Sequence, residues 1–88
     1  MESFVIKVKF FASLRESIGL AEIDIECQST LSTVSAVRDA LVKHHGENWK
    51  AELVENQVLV AVNQVMSDLE GAVNDGDEVA FFPPVTGG

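Results

Sequence analysis

Eighty-eight residues, 47% of them hydrophobic, make one domain with one modest core, because folding at this length buries only about 60–65% of the chain's surface. Cys27 is the only cysteine, which excludes a disulfide framework or a multi-cysteine zinc site and suits a reducing compartment. Six basic residues against fourteen acidic ones give a net charge of -8; this argues against a nucleic-acid partner, whose affinity comes largely from Lys and Arg, and favours a basic protein partner.

The first segment, "MESFVIKVKFFASLRES", places Lys7 and Lys9 inside its apolar stretch, which a secretion signal would not do. No apolar run approaches the roughly 20 residues of a membrane helix. The expected location is the cytoplasm, with no membrane contact. Within that segment, residues 4–12 alternate as a strand. Phe4, Ile6, Val8 and Phe10 form its core face, while Val5, Lys7, Lys9 and Phe11 form the other. Gly19 marks a turn. Residues 21–27, "AEIDIEC", alternate again, with Ala21, Ile23, Ile25 and Cys27 on one side and acidic residues on the other. They predict a half-buried strand that forms a hairpin with the first.

The period then changes. Val34, Val37 and Leu41 recur at helical spacing, Thr33 is a natural N-cap (Ser32 the alternative) and Gly46 a C-terminal stop. This predicts one helix of three to four turns. "VLVAVNQVM" reads as two short strands joined at Asn63-Gln64, where Asn tolerates the positive φ of a tight turn. "NDGDE" is a second turn. "EVAFF" is the last strand, with Val79 and Phe81 alternating against Ala80 and Phe82, and Pro83-Pro84 must end it because proline cannot donate to a sheet ladder. A lone helix crossing a small mixed sheet is an α+β domain, expected over residues 1–82, with residues 83–88 as an extended tail.

The tail suggests a use. Two prolines favour an extended path, so Pro83 to Gly88 can reach about 19 Å from the sheet. Gly87 and Gly88 carry no side chains and can enter a channel too narrow for other residues. The reactive group such a probe delivers is its terminal carboxylate. Adenylation with ATP by another enzyme would make that carboxylate an electrophile. A sulfur donor would then leave a thiocarboxylate, or an amine would conjugate the chain to a target.

"KVKFFASLRE", "AVNQ" at residues 61–64 and "DGDEVAFFPPVTGG" at residues 75–88 resemble the small-subunit family of molybdopterin synthase, also called molybdopterin-converting factor subunit 1. The likeness spans essentially the whole chain, and the last fourteen residues are its most specific part. It implies a ubiquitin-like β-grasp fold with one main crossover helix. It also implies that Gly88 is adenylated by a relative of ubiquitin-activating enzymes, becomes a thiocarboxylate, and donates sulfur to cyclic pyranopterin monophosphate inside a large synthase subunit. Two small and two large subunits form the family's assembly, no cofactor is bound by the carrier, and ATP is used by the activating enzyme. Matched by motif, Gly88 carries the sulfur and Gly87 gives clearance. Phe11, Arg15, Met66 and Phe82 meet the partners, together with Pro83, Pro84, Val85 and Thr86. Methionine at position 66 replaces a frequent leucine and keeps the site apolar.

Other features read as structure. Cys27 falls on an apolar strand face without a nearby histidine in sequence, which favours packing over reactivity. His44 and His45 are adjacent on a helix and point about 100° apart, a poor chelating pair; no metal site is expected. "DGDE" lacks the spaced ligands of a calcium loop, and Trp49 is expected to cover an edge of the core. No paired carboxylates or catalytic triad would let the chain act as an enzyme alone. Two other readings keep the same fold: a carrier for thiamine or cysteine synthesis or a modifier of lysines, and a plain interaction module.

Overall fold

The computed structural model describes residues 3–28, 33–55 and 57–84, with the backbone alone for residues 3, 4, 27 and 28. Five strands form one mixed sheet: β1 (Ser3–Phe10), β2 (Glu22–Gln28), β3 (Leu59–Val62), β4 (Val65–Ser67) and β5 (Glu78–Phe82). Their spatial order is β2-β1-β5-β3-β4. β5 lies between β1, to which it is parallel, and β3, to which it is antiparallel. The last strand is thus central, and Pro83 and Pro84 follow it from the middle of the sheet.

Alternation explains the core. Ile6, Val8 and Phe10 of β1 and Val79 and Phe81 of β5 are buried on one face. The long helix α2 (Val34–His45) lays Val34, Val37 and Leu41 against that side of the molecule. Burying a side chain such as Phe10 or Phe81 contributes about 1.5–3 kcal/mol. Phe10 stacks on Phe81 at 6.2 Å and meets Trp49 edge-on at 5.4 Å. Trp49 closes one edge of the core, and His45 stacks on it at 3.8 Å. His44 and His45 are both exposed. No cluster of metal-ligating side chains occurs among the described residues, and no described helix is long and apolar enough to cross a membrane.

Thr33 caps α2 as the sequence predicts: its Oγ1 accepts the Ala36 N–H at 3.2 Å. Gly46, at φ 91°, ends the helix by donating its N–H to Val42 O. Asn63 and Gln64 turn β3 into β4 with φ values of 51° and 68°.

Two expectations need correction. The first strand stops at Phe10, and Ala12 begins a short helix, α1 (Ala12–Ile18), so β1 and β2 pair antiparallel without a tight hairpin turn between them. The crossover helix is also not alone. Gly46 is followed by α3 (Glu47–Lys50) and a π-helical turn (Ala51–Glu55), which bury Trp49 and Leu53. Both missed segments are too short to display a helical period, and tertiary packing holds them. The side chains of Phe4 and Cys27, both expected in the core, lie outside the described residues.

The loop after Val73 is tied down through Asp77. Its Oδ1 accepts Asn63 Nδ2 at 3.0 Å and its Oδ2 accepts the Asn74 N–H at 2.8 Å. Asn63 Oδ1 in turn accepts the Glu78 N–H at 3.0 Å. One aspartate therefore locks the β3–β4 turn to the start of β5. Asp77→Ala is expected to cost about 1–2 kcal/mol, since each net hydrogen bond contributes about 0.5–1.5 kcal/mol. Thermal unfolding would register this as a Tm lower by about 4–16 °C.

Candidate functional site

The sheet face turned away from α2 carries three of the predicted partner residues, Phe11, Met66 and Phe82. Its rows follow from the pairing register. Lys9 opposes Ala80, Ala80 opposes Ala61, and Ala61 opposes Met66. At about 4.8 Å per strand this row runs roughly 14 Å across four strands. One row further along, Phe82 opposes Leu59. Phe11 extends the same row from the other side: Phe10 pairs with Phe81, and Phe11 remains extended at φ −129°, ψ 156°, donating its N–H to Phe81 O at 3.2 Å.

Phe11, Phe82, Leu59, Ala80, Ala61 and Met66 form a continuous apolar strip on the non-core face. Phe11 is 45% and Met66 61% exposed, whereas Phe82 is half-buried. Ala61 and Ala80 are also buried on this side; a methyl group on a sheet face is shaded by larger neighbours such as Phe82 and Met66. Leu59 and Ala61 belong to the strip but were missed in the sequence, because the face a short strand presents depends on its register with distant strands. The alternation of "VLVAV" alone could not tell which side was which.

The rim is charged. Lys9 pairs with Glu78 at 3.3 Å beside the strip, and Lys7 pairs with Glu22 at 3.3 Å. Arg15 sits in the last turn of α1, exposed and without an ion pair among the described residues. Its guanidinium is thus available to a carboxylate presented by a partner.

A backbone feature aims Phe11. Ala12 adopts φ 56°, a left-handed conformation that a non-glycine residue reaches at a cost of about 1 kcal/mol. The kink ends β1 and starts α1 while Phe11 stays on the sheet face. Ala12→Gly is expected to leave stability unchanged within about 1 kcal/mol, as relief of strain offsets added chain entropy. Ala12→Val should lower it by more than about 1 kcal/mol, since a β-branched residue is an outlier at positive φ. Ala12 is exposed, so a packing clash would not explain the difference, and denaturant melts of the pair would measure it.

Pro83 and Pro84 leave β5 in irregular, half-buried conformations next to this strip. The remaining predicted site residues, Val85, Thr86, Gly87 and Gly88, lie outside the described residues. The strip, Arg15 and the start of the tail therefore share one end of the sheet, the end at which β5 finishes.

A mixed sheet with β5 between β1 and β3, and the main helix crossing from β2 towards β3, defines the ubiquitin-like β-grasp class. The Haloferax volcanii SAMP1 crystal structure is similar, at 33% identity and a TM-score of 0.72 over 96% of this chain and 99% of that one. Within the class, the chain belongs to the ThiS family, whose model matches residues 8–88. It is 46% identical over 84 residues to the Haemophilus influenzae molybdopterin synthase sulfur carrier subunit, covering 96% of this chain and all of that protein. The Escherichia coli protein of the same name is 40% identical over 84 residues, with the same coverage.

Proposed function

We propose that this chain is the sulfur carrier subunit of a molybdopterin synthase. The observation that carries the reading is full-length likeness to two sulfur carrier subunits of that synthase, in a chain whose last residues are "FFPPVTGG". The apolar strip beside Pro83 and Pro84 supports it, because a carrier must dock before its tail can be threaded into another protein's pocket.

The chemistry follows from the carboxylate of Gly88. A carboxylate resists nucleophiles. Its oxygen attacks the α-phosphorus of ATP on an activating enzyme related to ubiquitin-activating enzymes, releasing pyrophosphate and forming an acyl adenylate. A sulfur donor displaces AMP and leaves a thiocarboxylate. The large synthase subunit then receives the tail and supplies the catalytic groups for transfer to cyclic pyranopterin monophosphate. Water returns the tail to the carboxylate. Two such transfers build one dithiolene, consistent with an assembly of two small and two large subunits. The carrier itself holds no cofactor. These steps belong in the cytoplasm, where ATP is abundant and thiols stay reduced.

The reading gives each residue a role. Phe11, Met66 and Phe82 anchor the partner surface, with Leu59 completing it. Arg15 pairs with a partner carboxylate at the rim. Pro83 and Pro84 stiffen the exit of the tail, Val85 and Thr86 span to the active site, and Gly87 lets the backbone pass close to the channel wall.

Intact-mass measurement of the protein isolated from cells tests the reading. A carrier carries, on part of its population, the mass increase of sulfur replacing oxygen at the terminus, and the increase disappears when the activating enzyme is deleted. A population uniform at the carboxylate mass in cells making molybdenum cofactor counts against it. The likeness to SAMP1, a small archaeal modifier protein, supports a second reading as a lysine modifier. That reading predicts branched Gly-Gly remnants on lysines of other proteins.

A further inference from the structure

β2 borders the sheet, paired with β1 on one side and with no other strand among the described residues. The register shows which backbone groups it turns outward. The Phe10 N–H donates to Ala21 O at 2.9 Å, and bonded residues alternate along an antiparallel pair. Ile23 and Ile25 therefore turn their N–H and C=O groups to β1, whereas Glu22, Asp24 and Glu26 turn theirs away from the sheet. The side chains alternate the other way. Ile23 and Ile25 pack half-buried against the core, and Asp24 and Glu26 are exposed.

A groove of about 500 Å³ runs along this border, between the run Ile23, Asp24, Ile25 and Glu26 and the α2 residues Leu41, His44 and His45. A cavity that touches consecutive residues of a strand, rather than every second one, lies against its edge. The groove is therefore walled by hydrogen-bonding backbone on one side and by a helix on the other. Ile23, Ile25 and Leu41 give it an apolar part beside its acidic and histidine lining.

We propose that this groove docks an extended segment of a basic partner protein, one in which valine- or isoleucine-like residues alternate with lysine or arginine. The segment adds to the sheet as a sixth strand by bonding to the outward groups of Glu22, Asp24 and Glu26. Its apolar side chains meet Ile23, Ile25 and Leu41. Its basic side chains meet Asp24 and Glu26, which form no ion pair among the described residues. Charge selects this occupant over a second copy of the chain. Two β2 strands set edge to edge would bring their rows Glu22, Asp24 and Glu26 together, and like charges opposed across strands are destabilising. The groove lies on the helix side of the sheet, opposite the Phe11–Phe82–Leu59 strip, so both can be engaged at once.

The test uses the full-length chain, labelled with ¹⁵N, and a ten-residue synthetic peptide of alternating valine and lysine. A second peptide has the same sequence but is N-methylated at every other residue, which preserves charge and removes the donors along one edge. The expected result is saturable shifts of the Glu22, Asp24 and Glu26 amides with the plain peptide, at least about tenfold weaker binding of the methylated one, and loss of binding in the Asp24→Lys/Glu26→Lys variant. That variant changes exposed side chains alone, and its fold is checked from the unshifted amides of β5. Equal binding of the two peptides, shifts centred on β4 or on the Phe11 strip, or no saturable binding at millimolar peptide would each overturn the proposal.

Discussion

Removal of Gly88 is expected to abolish sulfur transfer while leaving the folded domain unchanged. The core is made by Phe10, Phe81, Leu41 and their neighbours, and β5 is complete at Phe82, six residues before the end of the chain. Loss of one terminal residue beyond Pro84 touches no described contact, so the melting curve should superimpose on that of the intact chain. The activity, in contrast, depends on where the carboxylate arrives. One residue of extended chain spans about 3.1 Å, and a misplacement of about 1 Å can cost roughly 10²-fold in rate. The shortened chain would present its carboxylate a residue short of the activating enzyme's nucleotide. Adenylate formation, followed as ATP–pyrophosphate exchange, should fall to background. Exchange at the intact rate would show that the terminal glycine has no chemical role.

The second large effect is expected on the apolar strip. Met66→Asp puts a carboxylate on a residue that is 61% exposed, so the free protein should fold normally. In the assembled synthase the same carboxylate would be buried against apolar surface without a partner. Truncation of an interface anchor costs 2 kcal/mol or more, and an unpaired buried charge adds to that. Affinity for the large subunit should therefore fall by at least about 30-fold, since each 1.4 kcal/mol is a factor of ten. Phe82→Asp should do the same, but its half-buried ring also opposes Leu59, so part of its effect would appear as lost stability. Titration calorimetry with each variant, beside thermal melts of the free chains, separates the two contributions. Full affinity in the Met66 variant would remove the strip from the interface.

Much of this site was legible in the sequence because a sheet alternates. Lys7 and Lys9 fixed the outward face of β1, and that phase placed Phe11 with them. The same count placed Phe82 opposite the buried Phe81. Cross-strand information was less accessible. Nothing local to "VLVAV" says that Leu59 will stand beside Phe82, because that contact joins residues 23 positions apart through the register of β3 on β5. Short helices were also hidden. "ASLRESI" has about two turns of weak pattern and begins at a left-handed alanine, a conformation no composition rule would assign there. The segment holding Trp49 and Leu53 changes from α to π geometry within nine residues, and only the core beneath it explains its shape. The tail beyond Pro84 lies outside the described residues; what the sequence states of it is that two prolines fix φ and two glycines allow close backbone approach.

Transfer of sulfur from this chain to the pterin is tested most directly by incubating it with a large synthase subunit and cyclic pyranopterin monophosphate, using the thiocarboxylated and the plain carboxylate forms in parallel without free sulfide. The thiocarboxylated form alone should yield the dithiolene product, with two chains returned to the carboxylate per molybdopterin formed. Equal product from the plain form, or none from the thiocarboxylate with a large subunit that is active with its own carrier, would contradict the account.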